Sequence, residues 1–344
     1  MRGETREGLE AIESALERSP APDGQRAWLL RASGLLVSTH GQYAEALERF
    51  ARSIELYRAS GDRSGLAQVL CDTAFATVFA GDLEYTERLL DEATLLASEV
   101  GDRFAACYAR YGLGVVALSK GDARGAADLL EASIAAARQL DDQRLAAHAL
   151  SYLAVALAAL GAPARAAAVG RESLTNLVEL GDAWAMPWAL LGLAAAADRR
   201  GESPRVVRLL AAGESLRIAS GAAMPPVLGM HQARFLTAAR QRMGQAAFDA
   251  EWSMGASAPL EQMITYALAA EVTDDASTPR LPLTRRELEV ATLIGRGLTS
   301  REIADALVIS VRTADTHADH IRDKLGLRSR VEIATWAIQN GARE

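Results

Sequence analysis

The organisation of the chain is visible in one stretch, residues 101–121, whose sequence is GDRFAACYARYGLGVVALSKG. The stretch begins and ends with glycine, and the residues between are rich in alanine, leucine and valine. Glycine commonly ends helices, so this spacing is typical of a single helix of roughly 15–17 residues. Residues 101–121 therefore predict one helix bounded by turns.

Turn residues recur along the chain at the same interval. One set of glycines lies 40 residues apart, at Gly41, Gly81, Gly121, Gly161 and Gly201; a second set lies midway, at Gly61, Gly101, Asp141, Gly181 and Gly221. A turn every 20 residues, with Ala- and Leu-rich sequence between, predicts antiparallel helix pairs that stack as repeats. The expected fold class is all-α, and its larger part is an α-solenoid of helix hairpins.

Small residues keep fixed places within this repeat. Seven positions before the first set of glycines are Gly34, Ala74, Gly114, Ala154 and Ala194, and twelve positions after it are Ser53, Ala93, Ser133, Ser173 and Gly213. Small side chains let paired helices approach closely, and bulky ones such as Phe50, Leu90, Leu130 and Leu210 fill the space between. Over about residues 21–220 the pattern resembles tetratricopeptide repeats, although that family's period is about 34 residues.

The sequence also predicts domain boundaries. We expect tetratricopeptide-like repeats over residues 1–222, a helical cap over 223–270, a linker over 271–281 and a separate domain over 282–344. The net charge changes from −9 over residues 1–279 to +2 over 280–344, and Pro279 and Pro282 bracket the boundary. Residues 4–18 look like the second helix of an earlier hairpin, so the chain is expected to be a short form or the C-terminal part of a longer protein.

The last sixty residues contain strong helix-start signals. A hydroxyl followed three residues later by glutamate, the capping box, occurs at Thr284 and Glu287, Thr299 and Glu302, and Ser329 and Glu332, while Ser310 and Thr313 mark a weaker start. These signals predict helices at about 285–296, 300–307, 311–325 and 330–340. Only three residues separate the second helix from the third, which is typical of a helix-turn-helix. Its expected core is Ile303, Ala304, Leu307, Ile309, Ala314, Ile321 and Leu325.

This segment resembles the LuxR-type helix-turn-helix domain of bacterial transcription regulators. The matching residues are Leu283, Thr284, Arg286, Glu287, Glu289, Val290, Gly297, Leu298, Thr299, Glu302, Ile303, Ala304, Leu307, Ile309, Ser310, Thr313, His317, Ile321, Lys324, Leu325, Gly326, Ser329 and Arg330. The resemblance implies that helix 311–325 enters the DNA major groove and that helix 330–340 pairs two domains over a two-fold site. It also implies that larger relatives carry an ATPase module before such repeats.

The DNA contacts expected from this resemblance lie on the second and third helices and at their starts. They are Thr299, Ser300, Arg301, Ser310, Arg312, Thr313, Asp315, Thr316, Asp319, His320 and Lys324. The family often has a basic residue where Asp315 stands, and sometimes where Asp319 stands. Carboxylates repel phosphate but can accept from the cytosine amino group, so these two positions favour discrimination over affinity. The expected dimerisation residues are Val331, Ala334, Trp336 and Ile338.

A second stripe of residues crosses the first helices of the repeats. It contains Trp28, Arg31, Gln68, Tyr108, Tyr111, His148 and Trp188. In tetratricopeptide arrays these positions line the concave face, so the resemblance implies a groove for a small ligand or a peptide. Ordinary packing between helices is the alternative, and the sequence leaves both open.

Several classes of function find no support in the sequence. There is no phosphate-binding loop and no nucleophile elbow, and Cys71 and Cys107 lie in Ala-rich helices as expected for core residues. His317 and His320 have no third ligand nearby in sequence, so no metal is expected. No apolar run reaches the ~18–20 residues that a membrane span needs. We therefore predict no enzyme activity, no cofactor and no membrane segment.

The sequence thus predicts a cytoplasmic, sequence-specific DNA-binding transcription regulator. Its expected partners are double-stranded DNA, RNA polymerase, a second copy of the chain on DNA, and an unknown small ligand or peptide in the repeat groove. The alternative is a helical-repeat scaffold for protein interactions with only weak DNA affinity.

Overall fold

The computed structural model describes residues 2–18, 23–39, 41–269, 285–307, 309–325, 327 and 329–339. All regular secondary structure among them is helical, which confirms the all-α class. The described residues form two units that divide after Ala269, each with a hydrophobic core of its own.

The first unit is a series of helix hairpins. Its helices are α1 Arg2–Arg18, α2 Asp23–Thr39, α3 Tyr43–Ser60, α4 Arg63–Ala80, α5 Leu83–Val100, α6 Arg103–Ser119, α7 Ala123–Gln139, α8 Gln143–Ala159, α9 Pro163–Glu179, α10 Met186–Arg199, α11 Ser203–Ser220, α12 Pro226–Met243, α13 Gln245–Ser257 and α14 Leu260–Leu268. The helices α2 to α11 are 17 or 18 residues long, except α10 with 14, close to the 15–17 residues that the glycine spacing predicts. Hairpins α2/α3 to α10/α11 form the solenoid, and α12 to α14 follow it.

The predicted turn residues adopt the backbone conformation for which glycine is suited. All of the predicted turn glycines have φ between 64° and 85°, the left-handed region that ends a helix. Asp141, which takes a glycine position, is the one non-glycine residue with positive φ among those described, at 56°. The turn therefore requires this conformation even where the side chain disfavours it.

Aspartates one position after the turn residues start the next helices. The side chains of Asp62, Asp82, Asp102, Asp122 and Asp142 each accept a hydrogen bond from the backbone N–H three residues later, at 2.8–3.0 Å. A cap of this kind stabilises a helix by about 1 kcal/mol. The recurring pair of turn residue and aspartate thus fixes both the end of one helix and the start of the next.

The small residues bring the helices of a hairpin together as predicted. A Cβ atom added at Gly114 would lie 2.8 Å from Cγ of Leu130, closer than the packing of a real side chain allows. The serines have a further role, because Ser53, Ser133 and Ser173 donate hydrogen bonds of 2.7–3.0 Å to carbonyls of the partner helix exactly 26 residues earlier. Each of these three hairpins therefore carries a buried polar link between its helices.

Helix α1 takes the place of a second helix of a hairpin. Arg49 on α3 donates to Glu13 on α1 at 3.0 Å. Similar pairs join the second helices of successive hairpins, for example Arg58 with Glu92 at 2.9 Å and Arg165 with Glu131 at 2.7 Å. These pairs are exposed, so each contributes little stability, but they share one geometry along the array.

The solenoid winds tightly enough for distant hairpins to meet. Trp184, just before α10, donates its indole N–H to the carbonyl of Thr39 at the end of α2, at 3.3 Å. On the same side Tyr43 stacks on Phe79 with ring centroids 4.7 Å apart. Most residues of α8 and α10 are buried, which a helix in an open array would not be. The concave side is consequently filled largely by the protein's own side chains.

The second unit contains four helices, α15 Arg285–Gly295, α16 Ser300–Leu307, α17 Val311–Leu325 and α18 Arg330–Gln339. Its core includes the predicted residues Ile303, Ala304, Ala314 and Ile321, while Leu307, Ile309 and Leu325 pack against it half-buried. Val290, Ala291, Ile294, Ile333 and Ala337 complete the core from α15 and α18. The predicted linker 271–281, Thr284 and Gly326 lie outside the described residues.

Candidate DNA-binding face and repeat interior

The start of α16 is a complete capping box. The Thr299 hydroxyl and the Glu302 carboxylate exchange bonds with each other's backbone N–H, at 3.4 Å and 2.7 Å. The backbone hydrogen bond from Thr299 lowers the pKa of Glu302. The helix start is thereby fixed, and with it the position from which the turn leads to α17.

Helix α17 begins in a similar way. Ser310 accepts from the backbone N–H of Thr313 at 3.0 Å, and the two hydroxyls lie 2.7 Å apart. Ser329 accepts from the N–H of Glu332 at 3.2 Å at the start of α18. The start of α17 is exposed, whereas Ser329 and Arg330 at the start of α18 are half-buried.

Nearly all of the predicted DNA contacts are exposed. The exposed residues are Thr299, Arg301, Ser310, Arg312, Thr313, Asp315, Thr316, Asp319, His320 and Lys324, and Ser300 is half-buried. They lie on α16 and α17 and at the starts of these helices, whereas the opposite side of α17 supplies Ala314 and Ile321 to the core. A polar exposed side on the second helix of a helix-turn-helix is the arrangement that DNA readout needs.

Lys324 has a structural partner that the sequence did not indicate. Its Nζ donates to the Glu287 carboxylate on α15 at 2.7 Å, and the Glu287 side chain is 4% exposed. Nδ1 of His320 lies 4.0 Å from the same carboxylate. Glu287 therefore ties the last turns of α17 to α15.

The two acidic residues on α17 differ in their surroundings. Asp319 accepts from Arg322 at 2.9 Å, one turn along the helix. Asp315 is exposed and has no ion-pair partner among the described residues. Asp315 is thus the more available acceptor for a cytosine amino group.

Two arginines hold the helices of this unit in place. Arg330 donates to Ser300 at 3.2 Å and to the carbonyl of Leu298 at 2.9 Å. Arg286 donates to the carbonyl of Leu307 at 2.6 Å. Because Ser300 is already a partner of Arg330, its hydroxyl contributes to positioning α16 as well as being a candidate DNA contact.

The predicted dimerisation residues are only partly described. Ala334 and Trp336 are half-buried and pack against the core of their own unit. The side chains of Val331 and Ile338 lie outside the described residues.

In the repeats, Arg31 and Gln68 belong to a buried polar network. Arg31 donates to Asp72 and to Gln68, both at 2.5 Å. Burial raises the pKa of Asp72, and the charge and hydrogen bond of Arg31 oppose that shift. The network joins the first helices of two successive hairpins, so these residues support the array whether or not they also meet a ligand.

Tyr108 and Tyr111 form part of an aromatic stack. Phe75 lies between them, with ring centroids at 5.1 Å from Tyr108 and 5.0 Å from Tyr111. Tyr152 meets Tyr111 edge-on at 5.8 Å. Tyr111 is 4% exposed, which places it inside the array rather than on an open surface.

His148 and Trp188 belong to a third group, near the start of α10. His148 lies 3.0 Å from the Asp182 carboxylate, and Arg144 pairs with the same group. Burial alone would raise the pKa of Asp182, but the hydrogen bond and charge of His148 lower it below its ordinary value. Trp188 meets Trp184 edge-on at 5.8 Å and is 2% exposed.

The predicted groove residues therefore differ in how exposed their side chains are. Trp28 is 58% exposed and open to contact. Arg31, Gln68, Tyr108 and His148 are half-buried within the groups above. The sequence analysis did not single out Asp72, Phe75, Tyr152, Asp182 or Trp184, which the structure places in contact with these residues.

Among the residues that the structure describes, no three His, Cys, Asp or Glu side chains are placed to hold a metal ion. Nδ1 of His317 is buried and has no hydrogen-bond partner in the described part of the unit. None of the described helices has the length and apolar character required to cross a bilayer.

Fold and exposed face together define a helix-turn-helix domain that follows a helical-repeat region. Residues 281–337 match the family described as bacterial regulatory proteins, luxR family, so this segment is a LuxR-family helix-turn-helix domain, as the resemblance predicted.

Similar proteins were found for both parts of the chain. An HTH-type transcriptional regulator of Mycobacterium bovis is 32% identical over 197 residues, which cover 56% of this chain and 22% of the relative. The oxygen regulatory protein NreC of Staphylococcus aureus is 42% identical over 67 residues, 20% of this chain and 31% of that protein. The chain thus spans about a fifth to a third of these relatives. Their names are those of regulators, in agreement with the prediction that the chain is not an enzyme.

A solved structure also resembles the chain. The TPR-like repeats of a kinesin light chain from Podosopora anserina superpose with a TM-score of 0.42 and 15% identity, covering 59% of this chain and 99% of that one.

Proposed function

We propose that the chain is a sequence-specific DNA-binding transcription regulator in which α17 reads the major groove. The observation that carries the proposal is the exposed polar side of α16 and α17 in a LuxR-family helix-turn-helix. Arg312 and Arg301 are exposed and would reach phosphate or base edges, while Asp315 and Thr316 would face bases. Such a function requires the cytoplasm, where the chromosome and RNA polymerase are present.

The same proposal includes a dimer on DNA. Pairing through α18 would place two copies of α17 about one helical turn apart and would match an operator with two-fold symmetry. Ala334 and Trp336 are the described residues that would contribute to this pairing, although both also contact their own core.

Selection of binding sites from a random DNA library by the full chain tests the proposal. We expect an enriched inverted repeat, and Arg312→Ala should weaken binding to it. Arg124→Ala is the matched control, because Arg124 is 79% exposed on α7 in the repeat region. Absence of any enriched sequence would refute DNA-sequence recognition.

The repeat region would sense an effector or a partner through its concave side. Trp28 is the exposed member of the predicted groove, so Trp28→Ala should reduce the response of transcription to an effector without unfolding the protein. An unchanged response would remove Trp28 from the sensing surface.

A protein-interaction scaffold with weak DNA affinity is the second candidate. The exposed carboxylate of Asp315 on the reading helix favours it, since it repels phosphate. Under this alternative the library would give weak, sequence-independent retention that disappears at moderate salt, and regulation would depend on a protein partner.

A further inference from the structure

One stretch of the otherwise acidic repeat region is basic. Residues 198–243, from the end of α10 through α12, contain eight arginines and three acidic residues, a net charge of +5. Helix α12 alone contains three arginines and neither aspartate nor glutamate. Residues 1–279 as a whole carry −9, so this stretch is the part of the repeat region that a polyanion can approach most easily.

Two of these arginines lie side by side and unpaired. Arg199 at the end of α10 and Arg234 on α12 line the same cleft, and both are exposed. No carboxylate among the described residues lies within ion-pair distance of either guanidinium group. Ala195 and Phe235, which also line the cleft, are at most 2% exposed, so the two arginines supply much of its accessible surface.

The acidic residues beside this cleft are already neutralised. Asp198 accepts from Arg242 at 2.5 Å, and the same guanidinium reaches the Ser203 hydroxyl at 3.3 Å. Glu202 accepts from Arg200 at 2.7 Å. In each pair one positive charge balances one negative charge, so the charge of the two cleft arginines is left over.

The Arg234 side chain is held in place before any ligand arrives. Its guanidinium lies over the ring of Phe235, 5.0 Å from the ring centroid. A side chain that is already restrained loses less conformational entropy when it binds a partner. His231 stacks on the same ring but adds no positive charge at neutral pH, because burial and the neighbouring Arg234 lower its pKa.

The basic groups of α12 follow one side of the helix. Arg234 and Arg242 are eight residues apart, which corresponds to about 12 Å along the axis and about 80° around it. The exposed Gln241 lies on the same side. Arg240 points about 120° away from Arg234, on the opposite flank, with its guanidinium 4.3 Å from the centroid of the Phe248 ring.

We infer that Arg199, Arg234, Gln241 and Arg242, the basic surface, bind the phosphate backbone of duplex DNA. The inference rests on the proposed function in one respect, that the second unit brings DNA to the chain. Guanidinium groups bind phosphates through paired, charge-assisted hydrogen bonds. The donors are spread along a helix rather than gathered in a closed pocket, which suits an extended polyanion that carries one charge per about 1.7 Å of its axis.

Such contacts would add affinity without adding sequence preference, because the backbone is the same at every base pair. The peptide chain joins the repeat region to the second unit, so the second contact with the same DNA is effectively intramolecular. Even a weak contact at the basic surface would therefore lengthen the time that the chain stays on DNA.

Salt titrations of the full chain on a random-sequence duplex of about 60 base pairs test the inference. Each phosphate contact contributes about 0.9 to the slope of log K against log salt. The Arg199→Gln/Arg234→Gln variant should therefore bind more weakly at low salt, with a slope reduced by about 1.8. Each single substitution should give about half of that reduction.

The matched control is Arg124→Gln/Arg240→Gln, which changes the net charge of the chain by the same amount. Arg124 is 79% exposed on α7, and Arg240 is exposed on the other flank of α12. This variant should keep the original slope within about 0.3. Thermal unfolding monitored by circular dichroism should show that both double variants remain folded.

Two small competitors separate DNA from other anions. Adenosine monophosphate and polyglutamate, each at constant ionic strength, should bind the full chain and the Arg199→Gln/Arg234→Gln variant equally. Binding of either probe that is lost in this variant, with an unchanged slope on DNA, would assign the basic surface to a small phosphate ester or to an acidic protein and would overturn the inference.

An unchanged slope in the folded Arg199→Gln/Arg234→Gln variant, or an equal reduction in the control variant, would also overturn the inference. Failure of the proposed function looks different, because the slope on random DNA would then fall as expected while the library yields no enriched sequence. An enriched inverted repeat together with an unchanged slope would refute the basic surface alone, and absence of any DNA binding would refute both.

Discussion

Lys324 on α17 could act mainly as a phosphate contact or mainly as the partner of Glu287, and one substitution distinguishes the two roles. If Lys324 is mainly a phosphate contact, Lys324→Met reduces the salt dependence of DNA binding and leaves stability unchanged. If it mainly neutralises Glu287, the substitution leaves a carboxylate that is 4% exposed without its charged partner. The structure favours the second outcome, because Nζ lies 2.7 Å from Oε2.

The expected magnitude follows from the exposure of the two groups. Removal of one partner from a fully buried pair costs about 3–5 kcal/mol. The Lys324 side chain is 38% exposed, so water partly screens this pair and a loss of about 2 kcal/mol is expected. For a unit of this size that loss lowers the melting temperature by about 10 °C.

Trp336 is the single tryptophan in residues 278–344. In a fragment of these residues, its fluorescence therefore reports the unfolding of the second unit. Lys324→Met should lower the free energy of unfolding in urea, and adding Glu287→Gln should restore most of the loss by removing the charge of the carboxylate that has lost its lysine. Arg312→Met is the matched control: it should leave stability within about 0.5 kcal/mol but reduce the slope of log K against log salt by about 0.9. A Lys324→Met variant with unchanged stability and the reduced slope would refute this reasoning.

Three other predictions concern separate features of the molecule. Asp315→Lys should raise the affinity for random DNA and steepen the salt slope by about one unit, while preference at one base pair of the operator falls; unchanged values would place this residue away from DNA. Ser133→Ala should lower the free energy of unfolding by about 1–2 kcal/mol in urea, because it removes the buried hydrogen bond of 3.0 Å to the Cys107 carbonyl; a loss below about 0.3 kcal/mol would show that the link is dispensable. His148 lowers the pKa of Asp182, so the native state binds fewer protons there than the unfolded chain, and stability is lost as pH falls through the carboxyl range. In urea titrations below neutral pH, the Asp182→Asn variant should lose less free energy of unfolding on acidification than the original protein. An equal loss in both would contradict the pKa shift.

Local signals made much of the fold predictable. Turn glycines and capping hydroxyls act within a few residues of their position, and small residues at fixed offsets act between the two helices of one hairpin, so helix number and hairpin pairing in residues 21–220 follow from spacing. The caps at Asp62 and its equivalents were equally visible, because an aspartate directly follows six of the ten turn residues, although the helix starts were not assigned to them. Glu287 was visible as the second residue of a capping box and as part of the family motif, but its pairing with Lys324 was not.

The interior of the array could not be predicted in the same way. Asp72 carries no local signal, since an aspartate in a helix is usually exposed; it is buried because Arg31 reaches it from the preceding hairpin. Trp184 contacts Thr39 only because the several hairpins between them wind into a solenoid. The stripe that includes Trp188 could not distinguish an open groove from a filled interior.

The sequence by itself determined that the chain is helical, where its turns fall, and that a LuxR-type helix-turn-helix follows the repeats. Tertiary structure alone decided which polar groups are paired and how far the array closes on itself. The physical reason is that the capping and turn preferences act over a few bonds, whereas the winding of a solenoid is the sum of small rotations between hairpins. Trp184 therefore contacts Thr39, which lies more than a hundred residues away in the sequence, and no local sequence pattern indicates this contact.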